Sequence, residues 1–221
     1  MKRSSFILTA LLLFASISQG LELLLAAGQH YAEDNSFSES ATHFFLESAF
    51  ALTGFCSIGG GLRYINFGEV RTDLDGILIG GLEGVPSGAR ADDLIRHING
   101  GGAYALIKIQ PKLGEEAKLA PYVSAASGFQ LVYPTIEIEY RDGTSKHSFE
   151  DDQPSEAIPF AMLTGGFEVI FGSFGVFAQV SYIKSGKIDY GNYEPVDGLV
   201  IAPGGSVDPS GWQIFLGVAL H

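Results

Sequence analysis

The 221-residue chain has one cysteine, Cys56, and so no internal disulfide framework. In an exported protein, a single cysteine this deep in the chain reads as a small packed residue rather than a lipidated terminus. Basic residues are scarce, with 13 Lys and Arg against 25 Asp and Glu. That balance leaves no basic patch for phosphate and argues against a nucleic-acid partner. Beyond the N-terminus no stretch holds the roughly 20 unbroken apolar residues of a spanning helix. No linker, low-complexity tract or charge block divides the chain, so one domain is expected.

The N-terminus itself has a recognisable design. Lys2 and Arg3 precede the apolar run Phe6–Ala15, and Ser18 and Gly20 are the small residues of a peptidase exit. This is the pattern of a secretory signal peptide, residues 1–20, with cleavage expected after Gly20. The mature chain, 21–221, then loses only Lys2 and Arg3 among charged residues. It keeps 11 basic residues against 25 acidic ones, a formal charge of −14.

Throughout the mature chain, side-chain character alternates with a period of two, the mark of strands with two unlike faces. Eight strands are expected: 21–31, 43–52, 57–67, 102–111, 119–133, 160–171, 174–184 and 211–221. One stretch, Ser87–Gly100 (SGARADDLIRHING), has helical spacing with Ser87 as a cap and Asn99-Gly100 as a stop. It is read as a helix inside a connection. The connections span 32–42, 53–56, 68–101, 112–118, 134–159, 172–173 and 185–210, long and short by turns. Between antiparallel neighbours, this puts every long connection at one end and every short turn at the other, as in a sheet threaded through a bilayer.

Charge selects one face. Glu22, Glu47, Arg63, Lys108 and Glu168 each share a strand face with small or polar residues, opposite a continuous apolar face. A small closed barrel has a narrow interior that favours small residues. The five charges are therefore read as a lumen network, with the apolar face toward lipid. Tyr31, Phe44, Tyr64, Tyr104, Tyr133, Phe160, Tyr182 and Trp212 stand at strand ends beside the long connections, and Phe55, Phe171 and Phe174 beside the short turns. These are read as two headgroup-level girdles. The last strand, with Trp212, Ile214, Leu216, Val218 and Leu220 on one face, is expected to close the ring against the first and leave no free edge.

In these features the sequence resembles the small eight-stranded outer-membrane barrels of the OmpX and OmpA-transmembrane-domain type. The resemblance implies an all-β, antiparallel up-and-down transmembrane barrel in the outer membrane, in contact with lipid and lipopolysaccharide. It implies as well that the barrel-assembly machinery reads the terminal strand, although that strand ends Leu220-His221 rather than in phenylalanine. The stretch 133–150 continues the alternation past Tyr133, turns at Arg141-Asp142-Gly143 and returns, like an OmpX hairpin rising beyond the membrane. External ligands, if any, would meet the connections 68–101 and 134–159, either by strand addition or not at all.

Catalytic chemistry is not expected. His147 and Ser148 are adjacent, so on a strand they point to opposite faces and cannot work as base and nucleophile. His30, His43, His97, His147 and His221 show no metal-ligand spacing, TDLDG (72–76) does not complete a calcium loop, and no cofactor is implied. Two roles remain: a structural or surface-interaction barrel with a filled lumen, or a narrow porin, like the OmpW type, for small or hydrophobic solutes.

Overall fold

A computed structural model describes residues 21–34, 37, 41–79, 85–111, 119–194 and 201–221. The expected signal peptide, 1–20, lies outside them, as does the connection 112–118. Eleven strands follow one another: β1 (Leu21–Ala32), β2 (Ala41–Ala51), β3 (Cys56–Leu78), β4 (Arg90–Ile109), β5 (Leu119–Asp142), β6 (Ser145–Asp152), β7 (Glu156–Phe171), β8 (Phe174–Ser185), β9 (Ile188–Tyr190), β10 (Gly205–Val207) and β11 (Gly211–Leu220). No helix occurs among the described residues. Eight strands, β1–β5, β7, β8 and β11, pair antiparallel in sequence order. The ring closes where β11 meets β1, from Leu23 opposite Leu220 to Ala32 opposite Gly211. Closure satisfies the backbone of the first and last strands, which in hydrocarbon would find no water to bond.

The alternation seen in sequence is the alternation of exposure. Leu25, Leu46, Leu62, Ile107, Phe129, Leu163, Phe167, Val180 and Leu216 all face outward, and Leu163 and Leu216 are 67% and 68% exposed. So much exposed aliphatic surface around a closed wall suits a lipid solvent. Tyr31, Phe44, Tyr64, Tyr133 and Trp212 are exposed beside the long connections, and Tyr182 packs edge-to-face on Trp212. Two members of the expected girdle do not belong to it: Tyr104 and Phe160 are buried inside. Each shares parity with an inward charge of its own strand, Lys108 and Glu168, and this decides the face.

The expected helix over 87–100 is instead strand, most of it the first half of β4. Ala91, Leu94, Ile95 and Ile98 fall at helical spacing because a register shift between Ala91 and Asp93 interrupts the two-residue period. Arg96 is buried on the inner side where a strand pattern calls for an apolar residue. The supposed connection 68–101 is thus mostly β3 and β4, paired up to Leu78 opposite Arg90. On the next strand, β5 runs to Asp142 and turns into β6 through Gly143 and Thr144. Gly143 has φ +60°, as the first central position of a two-residue hairpin turn requires. Strands β3–β6 therefore stand above the barrel as a four-stranded sheet.

The inner face is less polar than its sequence suggests. Leu24, Phe45, Tyr104, Leu106, Phe160, Met162, Phe177 and Phe215 are buried in the lumen and form two apolar clusters. Inward glycines seat the rings. A Cβ on Gly61 would stand 2.5 Å from Tyr104 Cζ, on Gly166 2.7 Å from Tyr122 Cζ, and on Gly217 2.5 Å from Phe177 Cζ. Above the lumen the last connection folds inward. Ile188 and Val207 of the β9–β10 hairpin pack on Ile65, Phe67, Val70, Ile98, Val132 and Ile158. Higher still, Tyr193, Ile201 and Ala202 pack on Leu74, Leu94, Ile136, Ile138 and Tyr140 of the raised sheet.

Candidate functional site: the barrel interior and the raised sheet

Parity carries all five charged residues to the inner side, at two levels. On the lower level, toward the short turns, Lys108 (1% exposed) donates from Nζ to Glu22 Oε1 at 2.6 Å. Its ammonium also lies 4.5 Å from the centre of the Tyr122 ring. Glu168, 0% exposed, accepts from Gln110 Nε2 at 3.1 Å and is bonded to His221 Nε2 at 2.7 Å. Glu47 accepts from Tyr104 Oη at 3.1 Å, and Tyr122 Oη donates to Gln179 Oε1 at 2.7 Å. Only Lys108 and Glu22, of the five, are joined directly. Their neighbours are tyrosines, glutamines and a histidine, which satisfy the carboxylates through hydrogen bonds.

One level higher, Arg63 NH2 bonds His43 Nδ1 at 3.3 Å, and its guanidinium carbon lies 4.7 Å from the Phe160 ring centre. His43 stacks on His30, with ring centroids 5.1 Å apart and planes 8° from parallel. Phe67 presents an edge to both rings. Gln213 Nε2 bonds His30 Nδ1 at 3.2 Å. Toward the far wall, Thr164 and Ser181 are bonded at 2.8 Å, and Gln130 Nε2 donates to Ser185 Oγ at 3.0 Å.

Several of these residues were missed in the sequence: His30, His43, Gln110, Tyr104, Tyr122, Gln213 and His221. His30 has the parity of Glu22, and His43 that of Glu47, so the face was legible. Their mutual stacking was not, since it depends on the β1–β2 register that places Gly28 opposite His43. Among the described residues, Glu22, Glu168 and His221 are the group whose ligand atoms lie within 4.8 Å of one another. Lys108 on Glu22, with Gln110 and His221 on Glu168, makes this a hydrogen-bonded ionic cluster.

The residues of the barrel-closing strand, Trp212, Ile214, Leu216, Val218 and Leu220, all point outward. Between them Gln213 and Phe215 reach inward. The terminal stretch is thus apolar and exposed on one side and lumen-filling on the other.

The raised sheet has its own electrostatics on its outer side. His97 lies between Glu69, at 3.3 Å from Nδ1, and Glu137, at 3.0 Å from Nε2, and Arg71 bonds Asp93 at 3.3 Å. Arg141 pairs with Asp92. Hydrogen bonding from His97 holds the Glu137 carboxyl below its ordinary value, against a smaller opposing effect of desolvation. At the return of the last connection, Asp208 accepts from the Ser210 backbone N–H and from Lys184 Nζ, each at 2.9 Å. Partial burial opposes its ionisation, but these bonds outweigh it and set the Asp208 carboxyl at about 2. Strand β6 borders this sheet with nearly every side chain exposed. His147 stands opposite Tyr140 and stacks on it, while Ser148 stands opposite Glu139, at successive positions of the strand.

No protein-family model matches the chain, and no curated protein sequence matches it. Among solved structures it is similar to neisserial surface protein A, at 12% identity, with 91% of this chain and 96% of that one covered and a TM-score of 0.45. It is similar too to the N-terminal barrel domain of Pseudomonas aeruginosa OprF, at 16% identity, 91% and 97% coverage and a TM-score of 0.39. Ail of Yersinia pestis aligns at 9% identity, 91% and 98% coverage and a TM-score of 0.43. The chain's own closure, register and apolar belt show an eight-stranded antiparallel up-and-down β-barrel with an apolar outer wall.

Proposed function

We propose that this protein is an integral outer-membrane barrel with a sealed interior and a structural or surface-interaction role. The observation that carries the reading is the seating of Tyr104, Tyr122 and Phe177 against Gly61, Gly166 and Gly217. Inward glycine is the feature that speaks for a narrow porin, and in this barrel rings occupy the space it leaves. The apolar packing of the β9–β10 hairpin across the outer mouth supports the same reading. Purified protein in planar bilayers is expected to give no steady single-channel steps. Reproducible steps that respond to Gly61 or Tyr104 substitution would establish the porin reading instead.

Export through cleavage after Gly20, assembly by the barrel-assembly machinery and contact with lipopolysaccharide complete the proposal. Mass analysis of the membrane-extracted protein is expected to give a chain beginning at Leu21. At the surface the raised sheet offers β6 as an exposed border strand, suited to an extended segment of a partner by strand addition. Its acidic outer side, with Glu69, Asp93, Glu137 and Glu139, favours a basic partner.

A further inference from the structure

Arg63 is an unusual lumen charge. Its partner is a neutral ring rather than a carboxylate, and it makes no ion pair among the described residues. Glu47, on the neighbouring strand, is bonded to Tyr104 instead. The guanidinium can only donate, so His43 Nδ1 must accept from it, and the ring proton of neutral His43 resides on Nε2. His43 Nε2 has no hydrogen-bond partner among the described residues, and neither has Arg63 NH1. Two donors on side chains more than nine-tenths buried are left over, beside a buried positive charge that has no ion-pair partner among the described residues. A buried charge left unmatched is costly.

The two residues line a common cavity together with Phe45, Tyr104, Gln213 and Phe215, with room for about one water molecule. We propose that this cavity holds a single small monovalent anion, of halide size, between Arg63 NH1 and His43 Nε2. Gln213 completes the site. Its Oε1 is free while Nε2 bonds His30 Nδ1. Turned over, the amide accepts from His30 Nδ1–H through Oε1 and offers Nε2 as a third donor to the anion. A water in the same place would satisfy the donors but leave the guanidinium charge unmatched. The inference concerns the interior alone and holds whether or not the barrel conducts.

The test uses the full mature barrel in detergent, with bromide as probe. Crystals grown in bromide are expected to show an anomalous peak in contact with Arg63 NH1. The midpoint for conversion of the folded gel band by heat is expected to be higher in chloride or bromide than in gluconate at equal ionic strength. The rise is roughly 5–10 °C when halide stands at about 100 times its dissociation constant. Arg63→Met should abolish that difference. Should Arg63→Met fail to fold, Gln213→Glu decides, because it supplies a carboxylate in place of the ion. That variant is expected to fold with a midpoint indifferent to halide and with no bromide peak. A wild-type map with ordinary water beside Arg63, equal midpoints in halide and gluconate, or a Gln213→Glu barrel still sensitive to halide would each overturn the proposal.

Discussion

The ring of Tyr104 occupies the position that a Cβ on Gly61 would need, with Cζ and Oη each 2.5 Å from it. The two residues are directly opposed in the β3–β4 register, and the ring crosses β3 to bond Glu47, which stands opposite Gly61 on β2. Gly61→Ala should therefore destabilise the barrel by about 1–3 kcal/mol through overpacking. Combining it with Tyr104→Ala should recover part of that loss. Gly165 is the control, since a Cβ there meets nothing within 4 Å. Gly165→Ala should be neutral, and urea midpoints in micelles measure all three.

Lys108 and Glu22 make the direct ion pair of the lower level, and Lys108 is almost wholly buried. Removing one partner strands the other in a low-dielectric interior. Lys108→Ala is expected to cost about 3 kcal/mol, and Lys108→Ala with Glu22→Ala less than the single change. A double-mutant cycle on unfolding free energies gives the coupling. Additive effects would mean that the pair is not coupled in the folded barrel.

Leu216 lies mid-strand in β11 and faces outward between Ala27 and Ala178. If that face meets hydrocarbon, Leu216→Arg costs about 2–4 kcal/mol in a bilayer. The same change on a water-facing wall would be almost free. Refolding yield and stability in lipid vesicles distinguish the two.

Asp208 ties the return of the last connection to Ser210 and Lys184, and its carboxyl titrates at about 2 against an ordinary value of 3.8. A depressed carboxylate contributes stability above the unfolded value and loses it as pH falls through the folded one. Asp208→Asn should thus loosen this segment above about pH 4 and differ little from wild type near pH 2. The exposed Lys184 partner limits the effect to about 1 kcal/mol, decreasing with salt. Amide exchange across residues 186–194 and 201–210, compared at the two pH values, reads it.

Parity made much of this structure legible in advance. The faces of Glu22, Glu47, Arg63, Lys108 and Glu168, the outward row from Trp212 to Leu220 and the hairpin at Gly143 all follow from counting in twos. Where the count is broken, the sequence misleads. The register shift at Ala91–Asp93 and the inward Arg96 give β4 the spacing of a helix. Nearness to a strand end suggests the girdle for Tyr104 and Phe160, whereas their parity points inward. What counting cannot supply is which inward residue meets which. That Arg63 faces His43, or that Gly166 seats Tyr122, depends on the stagger of neighbouring strands and on the curvature that brings distant ones together.

The strands are of very unequal length: β1, β2, β8 and β11 have 10–12 residues, whereas β3, β4 and β5 have 20–24. At about 3.3 Å per residue, the additional ten or so amount to roughly 30 Å of chain. The cylinder is thereby cut obliquely, like a quill, with a tall flank and a low one. Anything arriving from outside touches the tall flank first and finds the low one sheltered behind it. A symmetric pore would greet visitors alike from every bearing; this molecule has a front and a back.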